Sequence, residues 1–264
     1  LAASQQRPSS NIIIRFFFIA FWLFNQKTCM YHFLLCECLA FWSSFRIFAR
    51  KMKRFILSLL FLWALGGICQ AQVPGFGIDT ISDALFQRMQ GRSFPEGCTV
   101  SRSDLRYLRV LHHNIEDSVC QGELVCNKAI AQDLLDIFQQ LYEAHYPIER
   151  IQLIDDYDAD DERSMTANNT SCFCFRTVEG SRKLSKHAQG LAVDINTLYN
   201  PCVRFRSDGS RYITPAAGRP YADRTQAFPY KLIYGDLCHR LFLQHGFRWG
   251  GSWRTVKDYQ HFEK

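Results

Sequence analysis

The clearest periodicity in the chain runs from Ala129 to Tyr146, where Ile130, Leu134, Leu135, Phe138, Leu141 and Tyr142 recur at intervals of three and four. That spacing predicts an amphipathic helix, which Pro147 ends. Ile81 to Met89 has the same spacing. Leu105, Leu108 and Leu111 stand three apart and predict another helical stripe. Ile151 to Ile154 and Leu191 to Ile195 are short apolar runs and read as strands. Asp236 to Gln244 reads as a short helix closed by Gly246. From Phe247 onward the chain is rich in Gly and Trp and reads as turns and short strands. Helical patterns come first and strands later, which predicts an α+β domain. No internal repeat and no Pro/Ser-rich linker divides it.

The N-terminal part has a different character. Met52 is followed by Lys53 and Arg54, an apolar stretch from Phe55 to Leu65, and Cys69-Gln70-Ala71 with small residues at the −3 and −1 positions. This is the pattern of a secretory signal peptide cut after Ala71, and it predicts export to a periplasmic or extracellular, wall-associated location. Acylation of Cys69 is the weaker reading, because Ile68 stands where a small residue is expected. Residues 1–51 are Phe-rich. Their two apolar stretches are interrupted by Arg15 and by Glu37 and Arg46, so neither is a clean membrane span. They read as upstream sequence translated from an over-long gene model, with a membrane anchor as the rival. The expected organisation is an extension over 1–51, a signal peptide over 52–71 and one domain over 72–264.

That division changes the meaning of the charge. The whole chain carries 31 Lys and Arg against 25 Asp and Glu. Eight of those basic residues and one acid, Glu37, lie in 1–71, leaving 23 basic and 24 acidic residues in 72–264. The domain is nearly neutral, so no nucleic-acid partner is expected, nor stable membrane insertion of the mature domain. Of the 11 cysteines, seven follow residue 71. Export permits disulfides, and the odd count leaves at least one thiol over. Cys172-Phe173-Cys174 is not a zinc-knuckle spacing, and all seven read as structural. The acidic run Asp155, Asp156, Asp158, Asp160, Asp161 and Glu162 reads as a solvated loop, since the ligand spacing and turn glycine of a calcium loop are missing.

Two segments carry chemistry. Ser185-Lys186-His187 leads through Gly190 into Leu191-Ala192-Val193-Asp194-Ile195, and Asp258-Tyr259-Gln260-His261 lies near the C-terminus. Asp194 is a carboxylate in the middle of an apolar strand, on the face opposite Leu191, Val193 and Ile195. A buried charge there requires a partner or a metal. His187 and His261 complete a His–Asp–His set, the donor type of a zinc site with an open position. Asp258, three residues before His261, is placed to take a proton from an attacking water and return it to a leaving amine. Glu263 competes for that role by period-2 spacing. His112, His113, His145, His239 and His245 lack such context and read as structural or solvated.

The pattern Ser-x-His-x(6)-Asp followed by Asp-x-x-His resembles the zinc D-alanyl-D-alanine carboxypeptidase and L-alanyl-D-glutamate peptidase family, with its VanY-like and endolysin-like branches. The resemblance extends over roughly 150–264. It includes Asp160 to Met165, Asn168 to Ser171, Phe173 to Arg176 and Gly246 to Trp253. It implies a hedgehog/DD-peptidase-like single domain with helices packed on a small antiparallel sheet. It implies zinc held by His187, Asp194 and His261, Asp258 as general base, and Arg176 as the cation that polarises the scissile carbonyl. Ion pairing of Arg176 with the acidic run is the alternative. Ser185 and Trp253 are candidate substrate contacts. The implied activity is hydrolysis of amide bonds in peptidoglycan stem peptides, of the L-Ala-D-Glu endopeptidase or D-Ala-D-Ala carboxypeptidase type. The other reading is a non-catalytic zinc-containing peptidoglycan-binding domain of the same fold. One departure is the 67-residue interval from Asp194 to His261, attributed to an insertion around Asn200 to Thr225 that shapes the cleft.

Overall fold

The structure, a computed structural model, describes residues 74–178 and 181–264; the readings made for 1–71 lie outside them. Among the described residues there are four α-helices. They are α1 (Asp83–Met89), α2 (Ala131–Glu143), α3 (Asp161–Thr166) and α4 (Leu237–Gln244). Eleven short strands accompany them, so the class is α+β. The antiparallel pairing is spread over three three-stranded sheets rather than one. The first contains β1 (Gly77–Thr80), β2 (Leu105–His113) and β3 (Val119–Asn127), in that order. A two-stranded parallel pair, β4 (Arg150–Ile151) with β5 (Asn169–Thr170), lies between this sheet and the later elements in sequence. No helix among the described residues is long and apolar enough to cross a membrane.

The helix expected over 129–146 is α2. Its inward stripe of Leu134, Leu135, Ile137, Phe138 and Leu141 is buried. Asn127 Oδ1 accepts the Ala129 N–H at 3.0 Å just before it. At the far end the Tyr146 N–H reaches the Leu141 carbonyl, with His145 in the left-handed region at φ 52°. This helix ending satisfies carbonyls that would otherwise lack partners. The helix expected over 236–244 is α4, capped by Asp236, whose Oδ1 accepts the His239 N–H at 2.8 Å. Gly246 closes it at φ 81°.

The stripe at Leu105, Leu108 and Leu111 does not form a helix. These residues lie in β2, which pairs antiparallel with β3 over nine residues. From Leu108 onward the buried positions alternate as Leu108, Val110 and His112, the period of a strand. The strand expected over 151–154 is also shorter: it ends at Ile151, and Ile154–Tyr157 is a 3-10 turn.

The main core lies between the first sheet, α2, α4 and the strands that carry the candidate ligands. Phe138, Phe242 and Phe262 are fully buried within it. Each such ring contributes about 1.5–3 kcal/mol through removal from water. A second core cluster joins Ile81, Met89, Leu105, Val125, Leu153 and Phe173.

The strand expected over 191–195 is β6 (Ala192–Asp194). It pairs with β11 (His261–Glu263) so that Asp194 stands opposite His261, Val193 opposite Phe262, and Ala192 opposite Glu263. β9 (Arg248–Trp249) flanks β11 on its other side. Val193 and Phe262 join the core, while Asp194 and His261 face away from it into a cleft. The remaining sheet has the order β10 (Val256–Asp258), β7 (Cys202–Phe205), β8 (Arg211–Thr214). The β7–β8 hairpin falls within the segment expected as an insertion, and it contributes a wall of the cleft.

Candidate metal centre and active-site cleft

Three donor groups from two adjacent strands and one turn meet at the base of a cleft of about 950 Å³. His187 Nε2 lies 3.2 Å from Asp194 Oδ2 and 3.2 Å from His261 Nδ1. His261 Nδ1 is 3.0 Å from Asp194 Oδ1. All three side chains are buried. Donor atoms bound at about 2.0–2.1 Å around a tetrahedral ion stand about 3.3 Å apart, so this set is close to ligand spacing.

Each histidine is held by its other nitrogen. His187 Nδ1 is 2.6 Å from the Cys172 carbonyl, which can only accept, so this nitrogen carries a proton and Nε2 is the one turned to the cleft. His261 Nε2 points to Glu263 Oε2 at 3.4 Å, leaving Nδ1 turned toward Asp194. Such outer partners fix the tautomer and orientation of metal-binding imidazoles. Glu263, the competing candidate base, is thus engaged with His261 and with Arg248, whose Nη2 lies 2.7 Å from Oε1.

The His187 turn is fixed from several sides. Ser185 Oγ accepts the His187 N–H at 3.2 Å, and the Ser185 N–H donates to the Arg176 carbonyl. Gly190 follows in the left-handed region at φ 68°, and its carbonyl accepts the Asn127 N–H at 2.9 Å. A Cβ at Gly190 would stand 2.7 Å from the Asn127 nitrogen, so only glycine allows the turn to seat against the end of β3.

The electrostatics call for a cation. Burial opposes the charge on Asp194, but His187 and His261 outweigh it and hold the carboxyl far below the ordinary range. Burial likewise opposes charge on His261, yet Asp194 and Glu263 push the imidazole up to about 10. In the metal-free arrangement, protons therefore do the work a divalent ion would do. The donor set, its spacing and its tautomers fit zinc.

Asp258 lines the same cleft from β10, and its Oδ1 has no hydrogen-bond partner. Burial raises its pKa; His261 opposes that rise and Asp194 adds to it. Across the ladder Asp258 stands opposite Cys202. Arg176 also lines the cleft, and its Nε lies 2.5 Å from Asp161 Oδ2. Both readings of Arg176 thus meet in one place, because its acidic partner is itself a cleft residue. Trp253 forms part of the wall, its ring centre 5.3 Å from that of His261.

The acidic run is not merely a solvated loop. Asp155 is buried and accepts the Ser93 N–H at 3.0 Å, and Asp160 caps α3. Asp156 and Asp158 pair with Arg88 and Arg163. Asp161, expected only within the acidic run and the family-like segment 160–165, and Cys202, expected to be structural, are both cleft residues. They come from segments about 100 and 60 residues before Asp258, with no local pattern tying them to it.

Residues 179–264 match the family model described as D-alanyl-D-alanine carboxypeptidase. No curated protein matches the chain, and no solved structure does. The matched segment contains His187, Asp194, Asp258 and His261, while Arg176 and Asp161 lie just before it. Over these residues the match supports the family that the ligand motifs implied, the VanY-like D-alanyl-D-alanine carboxypeptidases.

Proposed function

We propose that the chain is an exported zinc metallopeptidase that hydrolyses amide bonds in peptidoglycan stem peptides, as an L-Ala-D-Glu endopeptidase or a D-Ala-D-Ala carboxypeptidase. The observation that carries this reading is Asp258. Its carboxylate has an unpartnered oxygen and lines the cleft into which His187, Asp194 and His261 converge. A module that only bound peptide would have no use for a desolvated carboxylate beside its metal ligands, and such a group is costly to keep.

His187, Asp194 and His261 would hold the ion. Bound there, zinc supplies a Lewis acid and lowers the pKa of a water molecule. Asp258 accepts the proton of the attacking water and delivers it to the leaving amine. Arg176, oriented by Asp161, faces the oxygen on which negative charge develops. Ser185 supports the His187 turn through its hydroxyl while lining the cleft, and Trp253 limits the space open to substrate. The β7–β8 hairpin extends the wall along which a peptide would lie.

Digestion of purified muropeptides followed by mass spectrometry tests the reading. Zinc-loaded protein should release either D-alanine or fragments cut after L-alanine. Binding of intact muropeptides with no cleavage would replace it with the non-catalytic binding domain. Export rests on the pattern from Met52 to Ala71. N-terminal sequencing of protein recovered outside the cytoplasm should begin at or near Gln72, and a mature species that retains residues 1–51 would refute the reading of that segment as upstream sequence.

A further inference from the structure

A second convergence of metal-binding atoms lies outside the cleft, at the turn end of the β2–β3 hairpin. His113 ends β2, Asp117 lies in the hairpin turn, and His145 lies in the turn that closes α2. His113 Nδ1 is 2.7 Å from Asp117 Oδ1, and His145 Nδ1 is 2.6 Å from the same oxygen. The two imidazoles stack with ring centres 4.1 Å apart and planes 29° from parallel. The Asp117 carbonyl also stands 3.2 Å from His113 Nδ1. None of the three residues lines the cleft.

The backbone builds this convergence. Asp117 and His145 both occupy the left-handed region, at φ 60° and 52°. His145 is held there by the α2 ending, where the flanking Tyr146 N–H donates to the Leu141 carbonyl at 2.9 Å. The His113 ring is buried and stacks on Tyr142 at 4.8 Å, which limits its freedom to swing away. Asn114 Oδ1 accepts the N–H groups of Glu116 and Ser118 and so shapes the turn that presents Asp117.

We propose that His113, Asp117 and His145 form a second, surface metal site for a transition-metal dication of the zinc, copper or nickel class. Two imidazoles and one carboxylate match that class, whereas calcium and magnesium favour oxygen donors. Both imidazoles face Asp117 through Nδ1, so on binding each ring gives up its Nδ1 proton, to its own Nε2 by tautomerisation or to solvent, and the ion takes the place of those protons beside the carboxylate. The donors stand closer than the roughly 3.3 Å expected around a tetrahedral ion with bonds of about 2.0–2.1 Å, so the site must open by several tenths of an ångström. Asp117 and His145 are exposed and can move by that amount. The site is therefore weaker than the buried one, and its occupation ties the hairpin turn to the end of α2.

Equilibrium dialysis of the whole exported protein against Zn2+ tests the proposal, with Asp117→Asn and His145→Asn beside the wild type. Asparagine suits both positions because it tolerates left-handed backbone. The wild type should bind a tight ion and a weaker one. Each variant should bind the weaker ion at least ten-fold less well, while the tight ion and peptide hydrolysis persist. Electron paramagnetic resonance of the wild type with Cu2+ in the weaker site should show coupling to imidazole nitrogen that diminishes in His145→Asn. A single ion at saturating Zn2+, or a weaker ion held within two-fold by both variants, overturns the proposal. Failure of the cleft assignment would appear separately, as loss of the tight ion.

Discussion

Dialysing the protein against a chelator is expected to abolish peptide hydrolysis, and added zinc to restore it. His187→Ala and His261→Ala should each weaken the tight ion by more than about 100-fold, since loss of even an outer hydrogen-bond partner costs about 10- to 100-fold. The reason is the packing of three donors within about one ligand spacing, each buried and two of them oriented by a second bond. The metal-free protein should also acquire a pH dependence that the loaded protein lacks. With its pKa pushed up to about 10 in the folded state, His261 holds a proton that the unfolded chain releases near its ordinary value of about 6.5. That proton stabilises the fold fully below the ordinary value, and its contribution is lost as pH rises toward 10. With zinc in place the imidazole is a neutral ligand and this slope vanishes. Urea midpoints of chelated and loaded protein at about pH 6 and about pH 9 measure the difference. Unchanged activity after chelation, or wild-type zinc affinity in His187→Ala, would refute the centre.

Asp258→Asn should lower the turnover of stem peptides by a factor on the order of 10² or more, the usual contribution of a positioned acid–base group. The amide keeps the size of the carboxylate but cannot take the proton. Zinc content should not change, because Asp258 is not among the three converging donors. Glu263→Gln provides the contrast. Glu263 accepts from His261 Nε2 and pairs with Arg248, so its loss should loosen zinc by about 10- to 100-fold while turnover at saturating zinc falls far less. The reverse pattern, an active Asp258 variant and an inactive Glu263 variant with zinc bound, would give the proton transfer to Glu263.

The elements legible in the sequence were those whose burial is written in large side chains. The stripe of α2 is an example. Asp194 was legible for another reason, as a charge in an apolar strand, and it lies beside His187 and His261. The β2–β3 hairpin shows why other parts were hidden. In β3 the buried side includes Gly122, where a Cβ would stand 2.6 Å from the Ile151 Cβ. The close packing that seats the strand thus removes the side chain that would have announced it. In β2 the leucines at 105, 108 and 111 imitate a helical period, and the alternation is clear only when His112 is counted as an inward residue. His113 and His145 read as structural or solvated for a related reason: they meet through a hairpin turn and a helix end 32 residues apart, and neither segment carries a motif. Asp161 and Cys202 were the least legible of the cleft residues, because they join Asp258 in lining the cleft only through tertiary packing.

The direct opposition of Asp194 and His261 across the β6–β11 ladder has a further consequence for how the protein can fail. In a strand, a shift of one residue exchanges the two faces. Such a slip would turn Val193 or Phe262 toward the cleft and drive a charged ligand into the space where Phe262 now stacks on Phe242, ring centres 4.1 Å apart. The same misalignment would forfeit both the aromatic packing and the metal. A slipped ladder therefore has no route to being stable but inactive. Its exposed aromatic surface would mark it for degradation or aggregation, and the chains that escape both have their ligands aligned.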